Sequence, residues 1–328
     1  METYAVSPRR QLASLTLLAA AMLVTSCVAP KMRSTLDRPP TAAEMAQLWA
    51  KPADIAARDL YWGPGGEKWA PKAGTTFKIV DIKTSGTSPG VDVEDPTTGI
   101  TYGVKLGPES QTEVVVSRLL WAVGYHQPPT YTLNDYELTG DRPPELPKTG
   151  RFRPKLGDEF IDAGDNWSWH ENPFVGTREF KALLVMQLVF NNWDLKTAQN
   201  VIYDVQNPGK GPKQWYVVRD VGAALGRTDW PVGSKNNPDD FESQSLLDGV
   251  ENGTVDFNYH GRHKELFDDI TVADVVWAAE LMNGITPKQY ADAFRAAGYP
   301  ENIAARFIAK IRSKVQEGLD LKKTGAAR

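Results

Sequence analysis

The chain has 328 residues, 41% of them hydrophobic and 24% charged, with 37 Lys and Arg against 41 Asp and Glu for a net charge of −4. That length allows one large domain or two lobes with a real core, and the acidic balance argues against a nucleic-acid partner. One cysteine, Cys27, excludes a disulfide framework within the chain, and its place in a leader excludes thiol catalysis.

Residues 1–27 read as a targeting segment. Arg9 and Arg10 form a basic start, and the apolar run 12–24 is too short to span a membrane as a stable helix. The run ends Leu23-Val24-Thr25-Ser26-Cys27, which resembles a bacterial lipobox, where the cysteine is lipidated and becomes the N-terminus. Val28 follows instead of aspartate, so the resemblance implies anchoring through Cys27 at the outer membrane, on its periplasmic side. Without Glu2, Arg9 and Arg10 the net charge is −5. Residues 28–74 read as a tether and N-terminal extension. The first part is polar and proline-bearing, and Thr41-Ala42-Ala43-Glu44 is a capping box that opens a short helix over 42–50.

Residues 75–140 carry a strand pattern. Apolar and polar residues alternate over 77–83, a small-residue loop follows over 84–90, and 91–94 and 101–106 are further strands. The loop has two readings, a cover for nucleotide phosphates or a solvated hairpin turn. Lys105 lies among apolar neighbours in the third strand, and ordinary edge strands also carry lysines. Ser110-Gln111-Thr112-Glu113 then precedes an apolar helix over 114–123, stopped by Gly124. Glu113 either completes a local capping box or, sharing a helix face with Val116, Leu120 and Val123, turns inward to meet a cation, with Lys105 the nearest in sequence. A strand over 130–133 would complete a small sheet.

Residues 141–154, rich in Pro, Arg and Lys, look like a boundary between lobes. The segment 164–176 holds Trp167, Trp169 and His170 and reads as a loop packed by its aromatic rings; carbohydrate stacking is the other use of such tryptophans. A helix follows over 177–190.

The rest of the chain is arranged about residues 191–222. Two short strands, 201–203 and 215–218, flank turns at Asn207-Pro208-Gly209 and Gly211-Pro212. Asp194, Lys196 and Asn200 stand at the entrance of this hairpin, and Asp220 and Gly222 stand at its exit. The ends of an antiparallel pair lie side by side, so these polar groups converge. Hard oxygen ligands from Asp and Asn suit Mg²⁺, and a further carboxylate and a lysine suit phosphoryl transfer. Residues 227–243 form a polar loop. Asn252-Gly253 marks another hairpin. His260 and His263, with no cysteine or clustered carboxylate beside them, read as surface histidines. Three helices follow, capped at Thr271, begun at Thr286-Pro287, and running over 300–318.

At residues 191–222 the chain resembles the protein-kinase superfamily, in which D-L-K-x-x-N is followed by a hairpin and D-x-G. Asp194-Leu195-Lys196, Asn200 and Asp220-Val221-Gly222 carry the resemblance. The looser spelling is similar to atypical bacterial types such as HipA toxin and CotH spore-coat kinases. Asn192-Trp193 stands where kinases carry His-Arg, and Asn200 lies six residues after Asp194 instead of five. The resemblance implies an α+β, bilobal, kinase-like fold, with a small β-rich N-lobe over 75–140 and a mostly helical C-lobe over 141–328. It implies Asp194 and Lys196 as catalytic, Lys105 and Glu113 as the nucleotide-binding pair, and Asn200 and Asp220 as ligands of Mg²⁺ or Mn²⁺ with ATP. The phosphoryl acceptor would be a protein or small-molecule hydroxyl. The alternative is a catalytically idle kinase-like lipoprotein that binds a ligand or serves as an envelope scaffold.

Overall fold

The computed structural model describes residues 31–325 apart from 84–89, 141–148, 158, 163 and 230. The expected leader with Cys27, the loop over 84–89 and most of the expected lobe boundary therefore lie outside the described residues. The architecture is α+β, with a sheet in the first half and helices gathered in the last third.

Strand β1 is Arg33–Ser34 and the one-turn helix α1 is Ala42–Met45. The Thr41 capping box forms as expected, but α1 stops well short of residue 50. Among the described residues the first half then builds a six-stranded sheet from β2 (Thr75–Lys83), β3 (Gly90–Glu94), β4 (Thr101–Leu106), β5 (Tyr131–Leu133), β6 (Tyr136–Thr139) and β7 (Gly150–Pro154), in the order β5-β7-β4-β3-β2-β6. The alternating pattern puts Phe77, Val91, Val93, Tyr102, Val104, Leu106 and Phe152 into one apolar cluster.

One expected boundary needs correction here. The small lobe does not end at 140, because Gly150–Pro154 lies inside its sheet, antiparallel to β4 with Lys105 opposite Arg151. Residues 28–74 read in sequence as a tether and N-terminal extension. From residue 31 the chain packs onto the fold: β1 pairs with β9 (Glu171–Asn172), and Leu48 and Leu60 are fully buried in the main core.

Helix α2 is Glu109–Ala122. It begins five residues before the expected start, so Ser110 lies inside it and caps nothing; its hydroxyl donates to the Lys105 carbonyl at 2.8 Å. Glu113 is thus an interior helix residue. Nearly every side of α2 is buried, which is why its apolar face is poorly marked in sequence.

Strand β8 (Phe160–Asp162), β10 (Asn200–Val205) and β11 (Gln214–Val218) form a small sheet in the order β11-β10-β8. The expected hairpin is β10–β11, in register from Asn200 opposite Val218 to Asp204 opposite Gln214. Helix α3 (Arg178–Val189), capped by the Thr177 hydroxyl, delivers the chain to it. Trp167 and Trp169 are buried at 3% and 1% exposure, so they pack and offer no carbohydrate face. The expected loop over 227–243 contains helix α4 (Pro238–Ser243), capped by Asn237. Asn252 and Gly253, both at positive φ, turn β12 (Leu247–Glu251) into β13 (Thr254–Phe257). Helices α5 (Val272–Asn283), α6 (Pro287–Ala296) and α7 (Glu301–Gly325) complete the chain. One apolar core runs from α2 through α3 to α7.

Candidate active site

The site is built where β4 turns into α2. Gly107, at φ +110°, reverses the chain directly after the strand. Residues 109 and 113 stack on one helix face, and that face comes back over Lys105. Lys105 Nζ lies 2.7 Å from Glu109 Oε2, 3.5 Å from Glu113 Oε2 and 2.6 Å from Asp220 Oδ1. The structure thus joins Lys105, Glu113 and Asp220 as the sequence suggested, and adds Glu109.

Glu113 is 1% exposed and holds two further cations, Arg151 Nε at 3.1 Å and Arg153 Nη2. The arginines alternate along β7 and so share one face. Arg151 also donates to the Gly103 carbonyl at 3.0 Å and Arg153 to the Arg219 carbonyl at 3.3 Å. Burial by itself raises a carboxyl, but Arg151, Lys105 and Arg153 outweigh it and hold Glu113 at about 2, against an ordinary 4.5. Burial likewise works against the Lys105 ammonium, yet Glu113, Asp220 and Glu109 hold its pKa above the ordinary lysine range. Glu109 is also ion-paired with Lys235. The Asp220 side chain, 41% exposed, is the open end of this chain of charges.

Gly222 is required by the same geometry. A Cβ there would lie 2.7 Å from Glu109 Cβ and 3.1 Å from the Glu109 carbonyl oxygen. The glycine of Asp220-Val221-Gly222 therefore admits the N-terminus of α2.

The second group surrounds Asp194. Its Oδ2 accepts from Lys196 Nζ at 2.6 Å and from Gln199 Nε2 at 3.2 Å, and Arg262 Nε lies 3.5 Å from its Oδ1. The additional residue before Asn200 is absorbed by a single 3₁₀ turn, Thr197–Gln199. The turn lets Gln199 reach back to Asp194 and delivers Asn200 as the first residue of β10. Asn200 is fully buried; its Nδ2 donates to the Trp167 carbonyl at 3.0 Å, while Oδ1 has no hydrogen-bond partner among the described residues. Leaving such an oxygen unsatisfied costs about 1–3 kcal/mol, so the atom suits a cation. Backbone pairing continues past β11, with the Arg219 amide donating to the Gln199 carbonyl at 3.0 Å. Asn200 lies opposite Val218, and Asp220 follows two residues later, so both stand at one end of the hairpin and on one face of the extended pair.

Sequence reasoning missed Glu109, Arg151, Arg153, Gln199, Lys235 and Arg262. The alternation Arg151-Phe152-Arg153 was a usable strand signal. Lys235 and Arg262 carry none, since only chain folding brings them in.

No protein-family model matches the chain, and no curated protein matches its sequence. Among solved structures it is similar to a Helicobacter pylori proinflammatory kinase, CtkA, at 11% identity and a TM-score of 0.47, over 78% of this chain and 98% of that one. The likeness is too distant to transfer residues or activity.

Proposed function

We propose that this chain is a kinase-like phosphotransferase of the bacterial envelope, which moves phosphate from ATP to a protein or small-molecule hydroxyl with Mg²⁺ or Mn²⁺. One observation carries the reading: Lys105 spans from the buried Glu113 of α2 to Asp220 at the hairpin exit. A lysine fixed by a helix carboxylate beside a metal-binding aspartate is the arrangement nucleotide phosphates require. Asn200 Oδ1 and the half-open Asp220 carboxylate are oxygens fitted to the metal, which when bound neutralises phosphate charge. Lys105 contacts the phosphates, with Glu113 and Glu109 holding it. Asp194 orients the acceptor hydroxyl, its carboxylate held by Lys196, Gln199 and Arg262. Lys196, 42% exposed, turns from Asp194 to the transferring group. Lipid on Cys27 holds the protein at the periplasmic face of the outer membrane.

A second reading, an idle kinase-like scaffold, is favoured by the distances at Lys105. Glu109 and Asp220 lie within 2.7 Å of it, closer than Glu113, so carboxylates already saturate the lysine. The poor supply of ATP to the periplasm points the same way.

Thermal melts with millimolar Mg²⁺ and ATP separate the two. The wild type should melt higher, by about 2–4 °C for each kcal/mol of binding free energy, and release ADP. Asp220→Ala should fold but show neither effect. A wild type that shifts without turnover supports the scaffold, and an equal shift in the variant places the nucleotide elsewhere.

A further inference from the structure

His170, His263 and Glu265 form a cluster that the phosphoryl-transfer site does not use. His170 lies in the aromatic segment just before β9. His263 directly precedes the 3₁₀ turn Lys264–Phe267 and takes a left-handed backbone, φ 60° and ψ 48°. That conformation is uncommon outside glycine, with histidine, asparagine and aspartate the residues that adopt it most readily. It brings His263 Nδ1 to 3.1 Å from Glu265 Oε1, and His170 Nε2 approaches the same oxygen at 2.9 Å. The two rings meet edge to face with centroids 5.0 Å apart, and the three ligand-type atoms all lie within 4.8 Å of one another. The side chains are 13%, 32% and 24% exposed, sheltered yet open to a solute. The expectation that His263 is a surface histidine with no carboxylate clustered beside it is thereby corrected: it meets Glu265 and also His170, more than ninety residues earlier in the chain.

Two imidazoles and one carboxylate are a Zn²⁺ ligand set, with metal bonds of about 2.1 Å and ligand atoms about 3.4 Å apart in a tetrahedral site. The two contacts to Glu265 fall just inside that spacing, so a slight opening of the cluster admits the ion. We propose that His170, His263 and Glu265 bind a divalent transition metal, Zn²⁺ by its ligand set, with the fourth position left to water. The competing account is a carboxylate oxygen accepting two imidazole N–H groups.

The ion would join two segments that hold the candidate active site. On one side the Trp167 carbonyl accepts from Asn200 at 3.0 Å. On the other, Arg262 pairs with Asp194, its amide donates to the Trp193 carbonyl at 2.9 Å, and Tyr259 Oη donates to the Asn192 carbonyl at 3.4 Å. Metal binding itself does not rest on the phosphoryl-transfer reading; only its effect on Asp194 and Asn200 does.

The test is calorimetric titration of untagged, chelator-treated full-length protein with Zn²⁺, with Co²⁺ absorption as a report on geometry. Wild type should bind one ion per chain at micromolar affinity or tighter, with tetrahedral Co²⁺ bands, and should melt higher when loaded. His263→Asn, which tolerates the left-handed backbone, and Glu265→Gln should each weaken binding by at least about tenfold. His260→Ala, an exposed neighbour, should bind as wild type does. Absence of stoichiometric binding by the wild type overturns the proposal. So does binding unchanged in both ligand variants, or His260→Ala weakening it as much as His263→Asn. If His263→Asn melts low without metal, Glu265→Gln decides.

Discussion

Glu113 shows how one residue is chosen between two roles. In sequence it fits a capping box as well as a core ion pair, and a cap is worth about 1 kcal/mol. Three cations around a fully buried carboxylate outweigh that, and the helix starts early enough to place Glu113 inside it. Glu113→Gln leaves Lys105, Arg151 and Arg153 without their shared countercharge. It should cost about 3–5 kcal/mol in urea denaturation at neutral pH, and unchanged stability would show that water reaches the cluster. The carboxyl sits at about 2 when folded and ordinarily near 4.5, so the folded state binds fewer protons than the unfolded between those values. Its contribution is complete above pH 4.5 and is lost as pH falls toward 2. Wild-type melting temperature should drop through that window, and Glu113→Gln should drop less.

At the scale of elements, the site depends on how closely α2 approaches the hairpin exit. Gly222 sets that approach, since a Cβ there would collide with Glu109. Gly222→Ala should cost about 1–3 kcal/mol as α2 shifts to relieve the clash, read from the denaturation midpoint, and it should weaken the Mg²⁺–ATP shift. A variant as stable and responsive as wild type would mean that α2 slides freely. The hairpin entrance is braced separately. Asn191, at φ 54°, donates to the Gly226 carbonyl at 2.6 Å, and the fully buried Lys314 of α7 bonds its Oδ1. Burial lowers the Lys314 pKa to about 7, so α7 is tied to this turn through a group that accepts a proton reluctantly.

For the whole molecule, residues 31–74 are part of the fold. Leu48 and Leu60 fill the main core, the Trp49 indole donates to the Val123 carbonyl at 2.8 Å, and Arg118 of α2, 1% exposed, donates to the Leu60 and Thr130 carbonyls at 3.1 and 3.2 Å. The segment grips the helix that carries Glu113. No helix among the described residues is long and apolar enough to cross a membrane, and the attachment proposed above is through Cys27. Cys27→Ser should move the protein from the membrane fraction to the soluble periplasmic fraction. Retention of the variant in membranes would remove the lipid anchor from the account.

Local chemistry determined a good part of this protein. Strand patterns placed β2 to β5, threonine caps placed α1, α5 and α6, and turn residues placed both hairpins, because each of these signals acts within a few residues. The set Lys105, Glu113, Asp194, Asn200 and Asp220 was legible through the kinase resemblance, and the short spacing from Lys105 to Glu113 favoured their pairing, whereas Asp220, 115 residues on, reaches Lys105 only through the fold. Tertiary structure alone decided the rest. Gly150–Pro154 reads as a linker because its arginines make it polar, and only Glu113, nearly forty residues earlier, supplies the countercharge that lets them enter the core. The turn Thr197–Gln199 absorbs the additional residue before Asn200, because Gln199 finds Asp194 to bond. His170 and His263 became neighbours only when the aromatic segment met the turn after β13, a juxtaposition with no trace in local spacing.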